Sequence, residues 1–294
     1  MARKMLIRLG SKKALCLSTL SVSPGKPWRQ LLCFPGGKNA LSRKNGVGLC
    51  VHVAHSAPRN SPGWNMRHVR ALEQAGEVAP KVTCSKVVVC APKGGVGKTT
   101  IVRSLLVSAS KSGVKAIGIN LDEQTTLSRW STLRTAAREK FPEIVPVEVW
   151  QGQIDDFQRL LNAAEPYQIA FIDTPPGHGA YADSIASLCE RADLIIIPTS
   201  STNDDLDEVI PFQRRVAGAK GVFVMNKVNR RTTSFLSARH RLISAGALCP
   251  IEIPQLEDIH KYFTFGLTAL DAPKADGVAD LDAVWQFVWQ QVHR

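Results

Sequence analysis

Residues 93–100 read KGGVGKTT and follow the apolar run VVVCAP at 87–92. Gly94, Gly95 and Gly97 free the backbone to curl its amides, that of Val96 included, around an anion. Lys98-Thr99-Thr100 then opens a helix whose N-terminus is positively polarised. This is chemistry for a phosphate: Lys98 would reach the β- and γ-phosphates of a nucleotide, and the Thr99 hydroxyl would ligate Mg2+. The ordinary spacing G-x-x-x-x-G-K-[ST] fails at its first position, which is Pro92, and a second lysine, Lys93, stands just before the glycines. A hard cation also needs a carboxylate close by. YQIAFIDTPPG at 167–177 offers Asp173 at the end of an apolar run, placed to hold magnesium through water.

Such residues must sit on strand ends. From Lys86 onward short β-branched runs alternate with helical stretches, the pattern of a parallel sheet with crossover helices. Strands are expected at 87–90, 116–120, 144–150, 169–173, 194–198, 222–226 and 250–253. Helices are expected near 98–112, 124–140, 153–164, 180–191, 204–217, 233–245, 256–270 and 279–292, the first closed by Gly113. The expected fold is α/β, a doubly wound, mostly parallel sheet with helices on both faces, occupying residues 86–294.

KGGVGKTT resembles the deviant Walker A motif of the ParA/MinD family of ATPases, P-loop proteins of the SIMIBI type. The resemblance covers Lys86 to the C-terminus and implies ATP and Mg2+ as cofactors, with Asp173 in the Walker B position. It makes Lys93 the signature lysine, which crosses a homodimer interface to the phosphates held by the other subunit, so that ATP becomes a dimerisation switch. In GINLDEQTTLSRW at 118–130, Asp122 matches the second aspartate of the family's D-x-D-P-Q, the one expected to orient the attacking water, and Gln124 matches the glutamine. Asn120 replaces the first aspartate and Glu123 the proline, and asparagine cannot bring negative charge to a metal. Slow hydrolysis of ATP to ADP and phosphate is the expectation. Asn226 in VFVMNKV falls where the family reads adenine, and Pro254 in the late loop that packs near the base and the dimer interface. Trp130 and the run from Pro198 to Glu208 are similar to plasmid-partition ATPases and to VirC-type proteins of DNA-transfer systems.

The net charge of +12 is unevenly distributed. Residues 1–85 carry 14 Lys plus Arg against Glu73 and Glu77, whereas 86–294 balance 23 basic against 23 acidic residues. That first segment, rich in Ser, Gly, Pro and basic residues, is expected to be of low order. It reads as a basic arm for nucleic acid or acidic lipid, as a targeting presequence, or, the preferred reading, as upstream sequence ahead of a start at Met66. Seven cysteines without a C-x-x-C pair point to free thiols in a reducing cytosol, and bacterial cytoplasm is the expected location. The absence of such a pair also argues against the iron–sulfur carriers of the same superfamily. Cys50, His52 and His55 lie close together without a fourth zinc ligand in range, so no zinc is expected there. No apolar run approaches the length needed to span a bilayer.

Family members of the partition type bind DNA without sequence preference when dimeric. Arg214, Arg215, Arg230, Arg231, Arg239 and Arg241, with Lys220 and Lys227 nearby, are the candidates for phosphate contacts. A ParB-like or adaptor partner protein would stimulate hydrolysis. Two alternatives stand beside this reading. One is a weakly hydrolysing ATP-binding scaffold that positions a DNA-transfer complex or other cargo. The other is a MinD-like membrane-associated positioning ATPase, less favoured because the last helix carries Leu281, Val284, Trp285, Val288, Trp289 and Val292 on one face and no cations beyond the terminal His293 and Arg294, and so is expected to pack on the sheet.

Overall fold

The computed structural model describes residues 83–294 apart from His178 and Pro273, together with two short antiparallel strand pairs, Arg8–Leu9 with Lys13–Ala14 and Gln30–Cys33 with Asn39–Ser42. The chain divides into two compact units, Met1–Val78 and Ala79–Arg294. Cys50, His52, His55 and Met66 lie outside the described residues.

In the second unit an eight-stranded sheet is built from β1 (Ser85–Val89), β2 (Ala116–Asn120), β3 (Glu148–Gln151), β4 (Ile169–Asp173), β5 (Leu194–Thr199), β6 (Gly221–Val228), β7 (Ala247–Leu248) and β8 (Ile253–Pro254). The order is β7-β6-β5-β1-β4-β2-β3, with β8 also on β6, and every pairing is parallel. Parallel strands covered on both faces must be apolar throughout. Accordingly β4 and β5 are buried at every residue, and β1 at its last three.

Alternate residues of each central strand enter different cores. On one face Val87, Val89, Phe171 and Ile196 meet α1 (Lys98–Lys111), α2 (Thr126–Lys140) and α8 (Val278–Val292). On the other Val88, Ile172, Ile195 and Ile197 meet α3 (Phe157–Ala163), α4 (Ala182–Glu190), α5 (Asn203–Phe212) and α6 (Thr233–Ala245). The short α7 (Asp258–Lys261) precedes α8. The last helix packs inward as its apolar stripe requires. Leu281, Val284, Trp285 and Val288 are buried, Trp285 donates to Ser112 Oγ at 3.0 Å, and its ring meets Phe171 edge-on. No helix among the described residues is long and apolar enough to cross a membrane. The four cysteines of this unit, Cys84, Cys90, Cys189 and Cys249, are free and buried.

Four elements depart from expectation. The stretch 256–270 is not one helix: α7 runs into a 3-10 turn at Tyr262–Phe265, and another 3-10 turn follows at Ala269–Asp271. Gly266 interrupts it at φ 73°, where a Cβ would stand 2.3 Å from the backbone nitrogen of Arg134, so α2 crosses too closely for a continuing helix. The stretch 204–217 changes at Pro211, which lacks the N–H of a regular turn; after Phe212 the chain widens into a π-turn at Gln213–Ala217. The strand expected at 144–150 shrinks to Glu148–Gln151, and that expected at 250–253 gives way to β7 and β8.

Candidate functional site

The central strand β1 ends at Val89, and the chain crosses Cys90–Pro92 before the glycine loop delivers α1. The loop depends on positive φ at two glycines, Gly95 at 74° and Gly97 at 99°. At Gly97 a Cβ would also meet Asn226 Nδ2 at 2.0 Å, so that position is closed to any side chain. Above the loop opens a cleft of about 440 Å³ lined by Gly94, Gly95, Gly97, Lys98, Thr99, Thr100, Asp122, Glu123 and Gln124, with Pro175, Pro176, Tyr181 and Lys227.

Lys98 is 6% exposed and donates to the Lys93 carbonyl at 3.2 Å, folded back across its own loop. Burial lowers its pKa, against the pull of Asp173 and Asp122. Asp173 closes β4 beside β1, fully buried, and neither carboxylate oxygen finds a hydrogen-bond partner among the described residues. Burial pushes its pKa up to about 7, opposed by the Lys98 and Arg103 cations and by the nearby Thr99 hydroxyl, which stands outside hydrogen-bond geometry, and reinforced by Asp122. A buried carboxylate with two orphaned oxygens next to a hydroxyl is what a hard divalent cation would satisfy. No cluster of three or more His, Cys, Asp or Glu gathers among the described residues. Thr99 and Asp173 therefore fit magnesium as a partial oxygen set that phosphate and water would complete.

Asp122 lies in the loop after β2, its Oδ1 accepting from the Gln124 amide at 2.9 Å. The loop is held from below by Asn120, fully buried, which donates to the Asp122 carbonyl at 3.3 Å, Ser128 Oγ at 3.2 Å and Gln151 Oε1 at 2.6 Å and accepts the Asp122 amide at 3.2 Å. The asparagine thus anchors the loop through neutral hydrogen bonds. Lys93 turns away from the loop toward α5, 3.1 Å from Glu208 Oε1 and 3.5 Å from Asp205 Oδ1. Contact with Glu208 raises its pKa.

The structure brings Lys98, Thr99, Thr100, Asp122 and Asp173 together around the glycines. Asn226 is buried under the loop, its amide donating to the Val96 carbonyl at 2.7 Å. Pro254 pairs with Val228 on β8 and does not line the cleft. Of the arginines considered for DNA, Arg230 pairs with Asp280 and Glu252, Arg239 with Glu252 and Arg241 with Asp207. Arg214, Arg215 and Arg231 are exposed and make no ion pair among the described residues. Arg103 and Tyr181 were not singled out in the sequence, and Pro175 and Pro176 entered there only as the run that follows Asp173. Arg103 is buried on α1 and donates to the Thr126 carbonyl at 2.7 Å, tying the first residue of α2 to α1. The prolines follow Asp173 directly, which was the one available signal.

A central parallel strand opening through a glycine loop into a helix N-terminus, flanked by a carboxylate-tipped strand, defines a P-loop nucleotide-binding α/β protein. Residues 87–269 match the CobQ/CobB/MinD/ParA nucleotide binding domain, and the chain belongs to that family. Among curated relatives it is 29% identical over 135 residues to Protein virC1 of Rhizobium rhizogenes and 30% identical over 133 residues to Protein virC1 of Rhizobium radiobacter. Each alignment takes in 43% of this chain and 54% of the relative, so the chain spans about half the length of the curated relatives it matches. Among solved structures it is similar to the MinC:MinD cell division protein complex of Aquifex aeolicus, with TM-score 0.57, 14% identity and coverage of 70% of this chain and 96% of that one. The septum site-determining protein MinD of Pyrococcus horikoshii OT3 complexed with Mg-ADP gives 0.56, 17%, 70% and 96%. A plasmid partition protein of Borrelia burgdorferi B31 bound to AMPPNP gives 0.55, 14%, 71% and 99%. At these identities the likeness to solved structures is one of fold.

Proposed function

We propose that residues 86–294 form an ATPase domain that dimerises on ATP, binds DNA without sequence preference as a dimer, and is released when a ParB-like or adaptor protein stimulates hydrolysis. The cargo would be a plasmid, a chromosome or a DNA-transfer complex. The observation that carries the nucleotide reading is the orphaned Asp173 carboxylate, buried near Thr99 at the end of β4. In this reading the loop amides and Lys98 hold the phosphates, Thr99 and Asp173 hold Mg2+, and Asp122 orients the water that attacks the γ-phosphorus, giving ADP and phosphate. Magnesium, when bound, would neutralise phosphate charge. Arg214, Arg215 and Arg231 are the arginines best placed for DNA, since the other three already serve carboxylates.

Light scattering coupled to size exclusion, without nucleotide, with ADP and with a non-hydrolysable ATP analogue, followed by DNA binding of each species, tests this. A dimer formed with the ATP analogue alone, binding DNA with an affinity that falls steeply with salt, is the expected result. DNA binding indifferent to nucleotide sinks the reading. Asp122→Ala should leave a dimer that does not turn over.

A second reading, a weakly hydrolysing scaffold, is favoured by Asn120, which supplies four neutral hydrogen bonds and no charge where the family carries an aspartate. Turnover that stays negligible with DNA present would move that reading ahead.

A further inference from the structure

Consecutive side chains of a strand point to opposite faces, so neighbours do not ordinarily reach the same target. At the end of β6 that rule is broken. The pairing of β6 with β8 shifts register between Asn226 and Val228, and Lys227, between them, takes a left-handed backbone with φ 56°. A bulge of this kind re-aims a side chain. Here Asn226 Nδ2 reaches the Val96 carbonyl and Lys227 Nζ the Gly95 carbonyl, each at 2.7 Å. Lysine gains nothing locally from a left-handed backbone, so surrounding structure must hold it there.

The two bonds have a geometric consequence. In a trans peptide the C=O and the following N–H point in opposite directions. Drawing the Gly95 and Val96 carbonyls toward β6 therefore turns the amides of Val96 and Gly97 away from it, free for an anion. We propose that Lys227 is a positioning residue for the phosphate loop: it sets the loop amides in their anion-binding orientation, and its ligand class is a nucleoside triphosphate. This deepens the nucleotide reading above and rests on it. It also takes Lys227 out of the DNA-contacting group, because its ammonium is already engaged at the cleft.

The test uses the full chain and two measurements, titration with a fluorescent ATP analogue in the presence of magnesium and thermal melting without nucleotide. Lys227→Met keeps the stem and loses the donors, and should weaken nucleotide affinity roughly tenfold, the scale of one charged hydrogen bond. Lys227→Arg, which keeps a cationic donor, should recover most of that affinity. Lys227→Gly should bind as weakly as Lys227→Met yet melt at or above the wild-type temperature, because glycine accepts the left-handed backbone without strain. A residue with a merely structural role would show loss of melting temperature in place of this split. Wild-type affinity in Lys227→Met or Lys227→Gly overturns the assignment while leaving the nucleotide reading intact. A wild-type protein that binds no nucleotide overturns both.

Discussion

Lys93 and Glu208 form an ion pair at 3.1 Å, with Asp205 at 3.5 Å from the same ammonium, so the lysine before the glycine loop is held by the first turns of α5. A lysine that must reach the phosphates of a second subunit has to leave those carboxylates first. Glu208→Gln combined with Asp205→Asn should therefore lower the protein concentration at which the ATP-bound dimer forms, most clearly at low ionic strength, where exposed pairs are least screened. Lys93→Ala should abolish ATP-dependent dimerisation. Analytical ultracentrifugation of the three proteins reads both effects, and a Lys93→Ala dimer of normal affinity would refute the signature-lysine assignment.

Asp173 gives the free protein a pH dependence whose sign is fixed. Its folded pKa, pushed up to about 7 by burial, lies above that of the unfolded chain, so the folded state holds the extra proton between about pH 4 and about pH 7. Stability contributed by this group consequently falls as pH rises through that window and is flat above it. Asp173→Asn removes the penalty and should raise the stability of the nucleotide-free protein at pH 8 by on the order of a few kcal/mol, with the gain shrinking toward pH 4. It should also abolish magnesium-dependent nucleotide binding. Urea melts at the two pH values decide it, and a gain that does not depend on pH would contradict the assignment.

Gly97→Ala should be worse than a cavity or surface change. It combines φ 99° with a Cβ 2.0 Å from Asn226 Nδ2. The loop or the asparagine must move, at a cost of roughly 2–4 kcal/mol, the sum of backbone strain and an unpaired buried group. Nucleotide affinity should be lost in the same variant. Pairing it with Asn226→Ala should recover part of the stability, because the clash disappears with the side chain.

Arg134 and Asp271 form a two-pronged buried pair at 2.8 and 2.9 Å, each about 1–2% exposed. Burial alone would raise the Asp271 pKa, but Arg134 and the Thr268 cap outweigh it and hold it below the usual carboxylate range. Its contribution is present above that range and is lost as pH falls through the folded value. Arg134→Met strands the carboxylate and should cost about 3–5 kcal/mol, whereas adding Asp271→Leu should recover most of it. Chemical denaturation of the single and double variants checks the coupling.

The phosphate loop was legible because anion binding confines its glycines, lysines and threonines to eight consecutive positions. Asp173 was legible because a phosphate loop that takes magnesium calls for a carboxylate at a second strand end, and the apolar run within 167–177 ends in one. The chain's path between 256 and 270 was not, since Gly266 answers to the backbone of α2, more than 130 residues earlier. The contact of Lys227 with the glycine loop was not legible either, for a related reason. The lysine stands near the end of a buried strand with Arg230 and Arg231 just beyond, and the register shift that re-aims it exists in the pairing of two strands and leaves no trace in local composition.

Because the Gly95 and Val96 carbonyls are already tethered, the loop has little disorder to lose when a nucleotide arrives. Capture should then run at a rate set by diffusion and charge, much the same for ATP and ADP. What separates the two nucleotides would be how long each one stays.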